Sequence, residues 1–312
     1  MATTKTVEQA FHTGLPRCYT PTRYRPITKA PPLSTPEDGH IYKLIKWTPA
    51  QTYLDQARER YSALTTQDRS LRDAELPTLT LPELATAEDV GLMTEFNLIP
   101  GVKRLVEGSW LGGELTGRFT NGPWGEKLYV WTLRLAWGFS TDVAVLVIKP
   151  PNQVRGQDYF GVVGGERQRG GDNADADNKN DNDNTTTKNN PILTHGLQAN
   201  AIPHTQQARK YGAEQGISHV ALFDFQHLVL LDLDLDGDMR QKENPGDSDV
   251  MPDLLTVTYF DEQGRDLANG ECFHMVLLGF VLSAMDRVPS LLQNQLKPGA
   301  SETSAPHRVR EA

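Results

Sequence analysis

The side chains best suited to phosphate chemistry in this chain are one lysine and three side chains of a predicted helix. Lys149 follows the apolar run 143–148 and precedes two prolines, so it lies at the end of a predicted strand. Gln207 and Tyr211 are four residues apart and share one face of the predicted helix, which also carries Lys210. A lysine of this kind can balance phosphate charge and position a water, and the helix groups could contact a phosphate or a base. The alternatives are a solvent-facing lysine and a tyrosine packed on the sheet.

A second set of side chains has the spacing of a calcium site. Asp232, Asp234, Asp236 and Glu243 occupy the acidic positions of the EF-hand pattern D-x-D-x-D-G-x₅-E, with Gly237 at the turn. Calcium needs oxygen ligands at these alternating positions and a bidentate acid at the last. The segment before them is a predicted strand, however, and the Asn-Pro-Gly that follows prevents an immediate exiting helix. The sequence therefore favours a solvated acidic loop after a strand and leaves Ca²⁺ binding as the alternative.

Predicted helices and strands along the chain position these groups. Composition favours a helix at 204–215, which Gly216 ends. Apolar runs at 220–223 and 227–231 predict two buried strands joined by a turn at 224–226. The remaining predicted strands cover 114–119, 128–137, 143–148 and 254–260, and the remaining predicted helices start at capping boxes at Thr48 and Thr86, restart at Pro100 and cover 271–288.

This order of elements resembles the PD-(D/E)XK nuclease-like superfamily, in the divergent forms found among uncharacterised fungal proteins. In that family a core strand ends in a lysine with an acid two residues earlier, and the next helix often carries a glutamine with a tyrosine about one turn later. Lys149, Gln207 and Tyr211 match the lysine and helix positions. The resemblance covers roughly 86–165 and 192–234. It implies an α/β (α+β) fold with a central mixed sheet flanked by helices, a restriction-endonuclease-like core.

The resemblance also implies a catalytic site, which this sequence fills only in part. Active members hold Mg²⁺ through acidic oxygens from adjacent strands. Val147 stands where the acid before Lys149 is expected. The acids that could substitute are Asp142, seven residues before the lysine, and Glu95, on the preceding predicted helix. We therefore expect a degenerate site; an active enzyme of this family would be a metal-dependent nuclease.

One globular domain accounts for the apolar residues of the 312-residue chain. We expect it at 46–288, as a single α/β domain. Segment 166–191 has almost no apolar side chain and is predicted to be a disordered insertion that can be shortened without loss of folding. Proline-rich 1–45 and the tail 289–312 are predicted to be disordered as well.

Charge and cysteine content restrict the compartment and the partners. The formal net charge of -9 gives no general attraction to nucleic acid or to anionic membranes. Cys18 and Cys272 make no disulfide framework, and the N-terminus has no apolar core of a secretory signal. No apolar run is long enough to cross a bilayer. The sequence therefore predicts an intracellular protein, cytoplasmic or nuclear, with no membrane partner.

Three functions remain open from the sequence. The leading one is a nuclease-like protein with a degenerate site and nucleic acid as the ligand that the family implies. The second is a protein-interaction module that reuses the fold without catalysis, which the acidic charge favours. The third is a calcium-binding protein through loop 232–243.

Overall fold

The computed structural model describes residues 2–20, 23–27, 44–106, 108–110, 113–122, 125–135, 138–160, 197–233, 254–261 and 271–295. The helices in these ranges are α1 (Val7–Thr13), α2 (Gln51–Gln67), α3 (Ser70–Asp73), α4 (Ala87–Asn97), α5 (Ile99–Val106), α6 (Gly156–Phe160), α7 (Ala201–Gln215) and α8 (Phe273–Gln295). The strands are β1 (Ala2–Thr6), β2 (Leu44–Trp47), β3 (Glu75–Leu79), β4 (Gly108–Trp110), β5 (Gly113–Asn121), β6 (Lys127–Leu135), β7 (Ser140–Ile148), β8 (His219–Phe223), β9 (His227–Leu233) and β10 (Leu254–Asp261).

Eight of the strands form one mixed sheet in the order β2-β10-β9-β8-β7-β6-β5-β4. Strands β5, β6 and β7 form an antiparallel meander. Strand β8 then pairs in parallel with β7, and β9 returns antiparallel to β8. A parallel pair requires a crossover, which α7 provides. The predicted class, helices around a central mixed sheet, is confirmed at this level.

The two faces of the sheet support separate apolar clusters. One face, with Trp131, Leu146 and Phe223, packs against α1, α2, α4, α5 and α8. The other, with Val147 and Leu222, packs against α6 and α7. These strands are buried on both faces, which explains why their sequences read as nearly continuous apolar runs rather than as alternating patterns.

Helices α2 and α8 lie unusually close together on the first face. A Cβ atom added at Gly279 of α8 would overlap the main-chain carbonyl of Tyr53 in α2. The ring of Tyr53 packs edge-on against Phe280, with centroids 5.6 Å apart. The apolar stretch that begins at Cys272 is thus a buried helix, as predicted.

Several predicted boundaries were wrong. The segment 1–45 is not wholly extended or disordered, because β1 pairs with β3 and α1 buries Val7 and Phe11 in the core. Helix α8 runs past the predicted end of the domain at 288 to Gln295. No capping box forms at Thr48, since the cap of α2 is Ala50 without a side-chain hydrogen bond.

Other boundaries agree with the sequence. The capping box at Thr86 is present. Gly216 ends α7 in the left-handed conformation, with φ of 67°. Helix α7 itself begins three residues earlier than predicted, at Ala201. The segment 166–191 and the tail beyond Gln295 lie outside the described residues.

Candidate functional site

The candidate site lies at the edge of the sheet where the parallel strands β7 and β8 end. Lys149 directly follows β7, and Asp224 directly follows β8. The main-chain N–H of Lys149 donates to the carbonyl of Phe223 at 2.8 Å. The parallel pairing of β7 with β8 therefore extends by one hydrogen bond beyond the end of β7. Parallel strands bring their carboxyl ends to one edge, so the two charged residues share it by topology.

The amine of Lys149 is buried and bound to the crossover helix. The residue is 5% exposed, and its Nζ donates to Oε1 of Gln207 at 2.5 Å. Burial lowers the pKa of Lys149 to about 8, and the negative charge of Glu126 partly opposes this shift. The alternative of a solvent-facing lysine was therefore wrong, and the expected proximity of Lys149 to Gln207 is confirmed.

A histidine and a tyrosine lie on the same side of the sheet as the lysine. His204, on α7, is fully buried, and its Nδ1 lies 3.3 Å from the hydroxyl of Tyr159 on α6. Burial, with a further contribution from the charge of Lys149, holds the pKa of His204 well below its usual value. The imidazole is therefore neutral at physiological pH. Its Nε2 has no hydrogen-bond partner within the described part of the chain.

Tyr211 connects α7 to the turn between β5 and β6. Its hydroxyl donates to Oε2 of Glu126 at 2.8 Å, and a Cβ at Gly122 would overlap that hydroxyl. Burial raises the pKa of Tyr211, and the charge of Glu126 adds to the shift. Glu126 thus acts on Tyr211 through a hydrogen bond and on Lys149 through its charge. Lys210, one residue away, pairs with Glu214 at 3.9 Å.

Asp224 has a structural role at the end of β8. Its carboxylate accepts hydrogen bonds from the main-chain N–H groups of Val154, Gln226 and His227 at 3.0, 3.1 and 2.9 Å. The ring Nδ1 of His227 lies 3.1 Å from the same carboxylate. Asp224 therefore holds together the β8–β9 turn and the segment that follows Lys149. A carboxylate with this many donors is already satisfied.

The acids considered for the catalytic site are not brought to Lys149. Asp142 lies at the other end of β7, about 23 Å away along an extended strand, and accepts a hydrogen bond from Thr132 at 2.5 Å. Glu95 pairs with Lys127 at 3.3 Å, on the α4 face of the sheet, whereas Lys149 lies on the α7 face. The expectation that either acid could substitute beside Lys149 was wrong. Asp142 lies at the far end of β7, and Glu95 lies on the opposite face of the sheet.

The strand position two residues before Lys149 supplies no side-chain ligand for a magnesium ion. Val147, two residues before Lys149 and on the same face, is fully buried and has no side-chain oxygen. Across the described ranges, no group of three or more His, Cys, Asp or Glu side chains is arranged to hold a metal. Magnesium demands near-octahedral oxygen ligands and leaves water reluctantly. No catalytic step through Mg²⁺ follows from these residues.

The proposed calcium loop is only partly described. Asp232 is in β9, and both of its carboxylate oxygens accept from Arg287 of α8, at 2.7 and 2.5 Å. This bidentate ion pair joins β9 to α8. It uses both carboxylate oxygens of Asp232, the residue at the first ligand position of the EF-hand pattern. Asp234, Asp236 and Glu243 lie outside the described residues, so Ca²⁺ binding stays an untested alternative.

Sequence reasoning missed Glu126, His204, Tyr159 and Asp224. For Asp224 a signal existed, since an acid directly after a strand parallel to β7 must lie at the edge that carries Lys149. For His204 the signal was its position three residues before Gln207 on the same helical face. Glu126 and Tyr159 reach the site only through tertiary packing.

Comparison of the chain with protein-family models, with curated proteins and with solved structures finds no match. In the portion of the chain that the structure covers, no helix combines the length and apolar character needed to span a bilayer.

Proposed function

We propose that this chain is a PD-(D/E)XK nuclease-like protein whose catalytic site is degenerate. The observation that carries the proposal is the hydrogen bond between Lys149 and Gln207. It joins the lysine at the end of a core strand to the glutamine of the crossover helix, the two positions on which the resemblance depends. The parallel pairing of β7 with β8 across α7 also supports a restriction-endonuclease-like core.

The degenerate character follows from the chemistry of the lysine edge. A working site needs acidic oxygens beside the lysine, and Val147 supplies an isopropyl group there. Lys149 itself is buried against Gln207 and does not face solvent, where it could meet a phosphate. We therefore assign Lys149 a structural role in this chain and no role in activating water.

Nucleic acid is the ligand that the family resemblance implies, and it is tested by binding without cleavage. Fluorescence anisotropy with a labelled 30-base-pair duplex and a matched RNA should give binding that weakens as salt rises, since phosphate contacts release counterions. Lys210→Ala should weaken it, because Lys210 is the candidate contact on α7. Lys103→Ala, at an exposed position of α5 on the opposite face of the sheet, is the matched control. Absence of binding at low salt would contradict a nucleic-acid ligand.

A protein-interaction module that reuses the fold is the second candidate. Two observations favour it: Lys149 is withdrawn from solvent, and the net charge is -9. A protein of this charge repels a polyanion unless a local basic surface compensates. The same anisotropy experiment separates the two candidates, because only the nucleic-acid ligand predicts a salt-dependent complex.

A further inference from the structure

A cleft of about 400 Å³ lies between the C-terminal half of α7 and the strands β5, β6 and β7. Helix α7 packs on β8 and β9, and the sheet continues beside it through β7, β6 and β5. Lys149 does not line this cleft. Ligand pockets of roughly 300–1,000 Å³ accommodate small organic molecules, so the cleft is large enough to be one.

The floor of the cleft is apolar and its rim is polar. Val130 of β6 and Val145 of β7 are cross-strand partners in the floor, and Leu128 and Ile217 complete it. All four side chains are buried by the rest of the protein. The rim carries hydroxyl, amide and carboxylate groups, from Thr120, Asn121, Asp142, Glu214 and Gln215. An amphipathic ligand matches this arrangement, with its apolar body on the floor and its polar group at the rim.

The two carboxylates of the rim have acceptor capacity left over. Asp142 accepts one hydrogen bond, from Thr132, and its other oxygen lies 3.9 Å from the guanidinium of Arg118. Glu214 lies 3.9 Å from the amine of Lys210. Both of these distances are too long for a hydrogen bond. An ionised carboxylate offers about four acceptor positions, so each can receive a donor from a ligand in the cleft.

The charges around the cleft favour a positively charged donor. The one cation in the lining, Arg118, donates to the hydroxyl of Thr132 at 2.7 Å and has Asp142 beside it, which offsets its charge. Glu214 then leaves the lining with a net negative charge. Helix α7 also ends here, and the C-terminus of a helix carries a partial negative charge that attracts cations.

We propose that this cleft binds a free organic cation, a primary amine with a small apolar body. The body lies on Val130 and Val145, and the ammonium group lies at the rim, where Asp142 and Glu214 offer acceptors. The site is independent of the nuclease resemblance, because neither Lys149 nor a nucleic acid takes part in it. Its failure would therefore leave the proposed function unchanged.

An NMR titration of the isotope-labelled full-length protein with phenethylamine tests the site. The amide resonances of Val130, Val145 and Ile217 should shift and saturate. Phenylethanol and phenylacetate are the matched probes, since they keep the aromatic body and replace the ammonium by a hydroxyl or a carboxylate. Both should bind about fivefold more weakly or worse, because an ion pair near the surface contributes up to about 1 kcal/mol.

Substitutions at the rim locate the ammonium group. Glu214→Gln, at a half-exposed helix position, and Asp142→Asn each remove one charge and should each weaken phenethylamine binding about threefold. Asp55→Asn is the matched control, because Asp55 is an exposed acid of α2 on the opposite face of the sheet. Thr120→Trp, at an exposed rim position, places an indole in the cleft and should abolish the shifts while the melting temperature stays unchanged.

Three results would overturn the cation site. They are the absence of saturable shifts in the wild type, equal binding of phenylacetate, and shifts that survive both Glu214→Gln and Thr120→Trp unchanged. A lysine blocked at its α-amine and its carboxyl tests the other source of an ammonium group, a peptide. If it bound more tightly than phenethylamine, the assignment to a free small molecule would be overturned.

Discussion

The amine of Lys149 donates a hydrogen bond to the side-chain oxygen of Gln207, 2.5 Å away and 58 residues later in the chain. The bond connects a strand end to the helix that crosses from β7 to β8. It is buried, and an amine removed from water without a neighbouring carboxylate in direct contact is costly to keep charged. The first prediction follows from this cost.

Replacement of Lys149 by methionine should change how stability depends on pH. Burial lowers the pKa of Lys149 to about 8 in the folded protein, from an ordinary value near 10.5 in the unfolded chain. A depressed pKa means that the unfolded state binds the proton first, so stability is lost as pH falls from 10.5 to 8. Between pH 10 and pH 7 the wild type should lose about 2 kcal/mol relative to Lys149→Met. Urea unfolding of both proteins at pH 10 and pH 7 measures the difference. If the free energies of unfolding of the wild type and of Lys149→Met changed equally with pH, the burial of the charge would be contradicted.

The hydrogen bond between Tyr211 and Glu126 should show a measurable coupling energy. Their contact is direct, at 2.8 Å, and involves an ionised acceptor. A double-mutant cycle with Tyr211→Phe and Glu126→Ala should give a coupling of about 1–3 kcal/mol in the free energy of unfolding. Tyr19→Phe, at an exposed tyrosine, should change stability by less than about 0.5 kcal/mol. A coupling near zero would show that the turn does not hold α7.

His227 should titrate above its ordinary pKa. Burial alone would lower the pKa of His227, but the hydrogen bond and the charge of Asp224, helped by Asp261, raise it more. The raised pKa adds stability that is complete below about 6.5 and is lost as pH rises through the folded pKa. An NMR titration of the ring should give the raised value, and Asp224→Asn should abolish the increase. A ring that titrates below its ordinary value would contradict this pairing.

Gly279→Ala should destabilise the protein strongly. The added methyl overlaps the main-chain carbonyl of Tyr53, which cannot move without shifting α2 against α8. Overpacking of this kind costs about 1–3 kcal/mol or more. Ser283→Ala, one turn further along α8 at a partly exposed position, is the control and should be close to neutral. Thermal unfolding of both variants decides the matter, and equal melting temperatures would contradict the close helix contact.

The sequence predicted the parts of this site that depend on regular periodicity. Helical spacing placed Gln207 and Tyr211 on one face, and strand-helix-strand order placed that face over Lys149. The contact of Glu126 could not be predicted from the sequence, because its approach to Tyr211 depends on how the β5–β6 turn folds over α7. The missed helix α1 did carry a signal, since Thr6 and Gln9 have capping-box spacing and the box is formed.

The distance between Asp142 and Lys149 could be predicted from the length of the strand that joins them. The face of the sheet on which Glu95 lies could not be predicted. Seven extended residues always place two groups far apart. The face of the sheet that a preceding helix covers is decided by long-range packing, which local patterns do not contain.

Cleavage is the most direct test of our proposal that Lys149 occupies a nuclease-like position without the acids that catalysis needs. Supercoiled plasmid DNA and a structured RNA are incubated with the full-length protein and Mg²⁺ or Mn²⁺, beside the same reactions with chelator and with Lys149→Ala. We predict that cleavage by the wild type equals that of the chelated and Lys149→Ala reactions. Metal-dependent cleavage that Lys149→Ala abolishes would contradict the account and show that other acids replace the one missing at Val147.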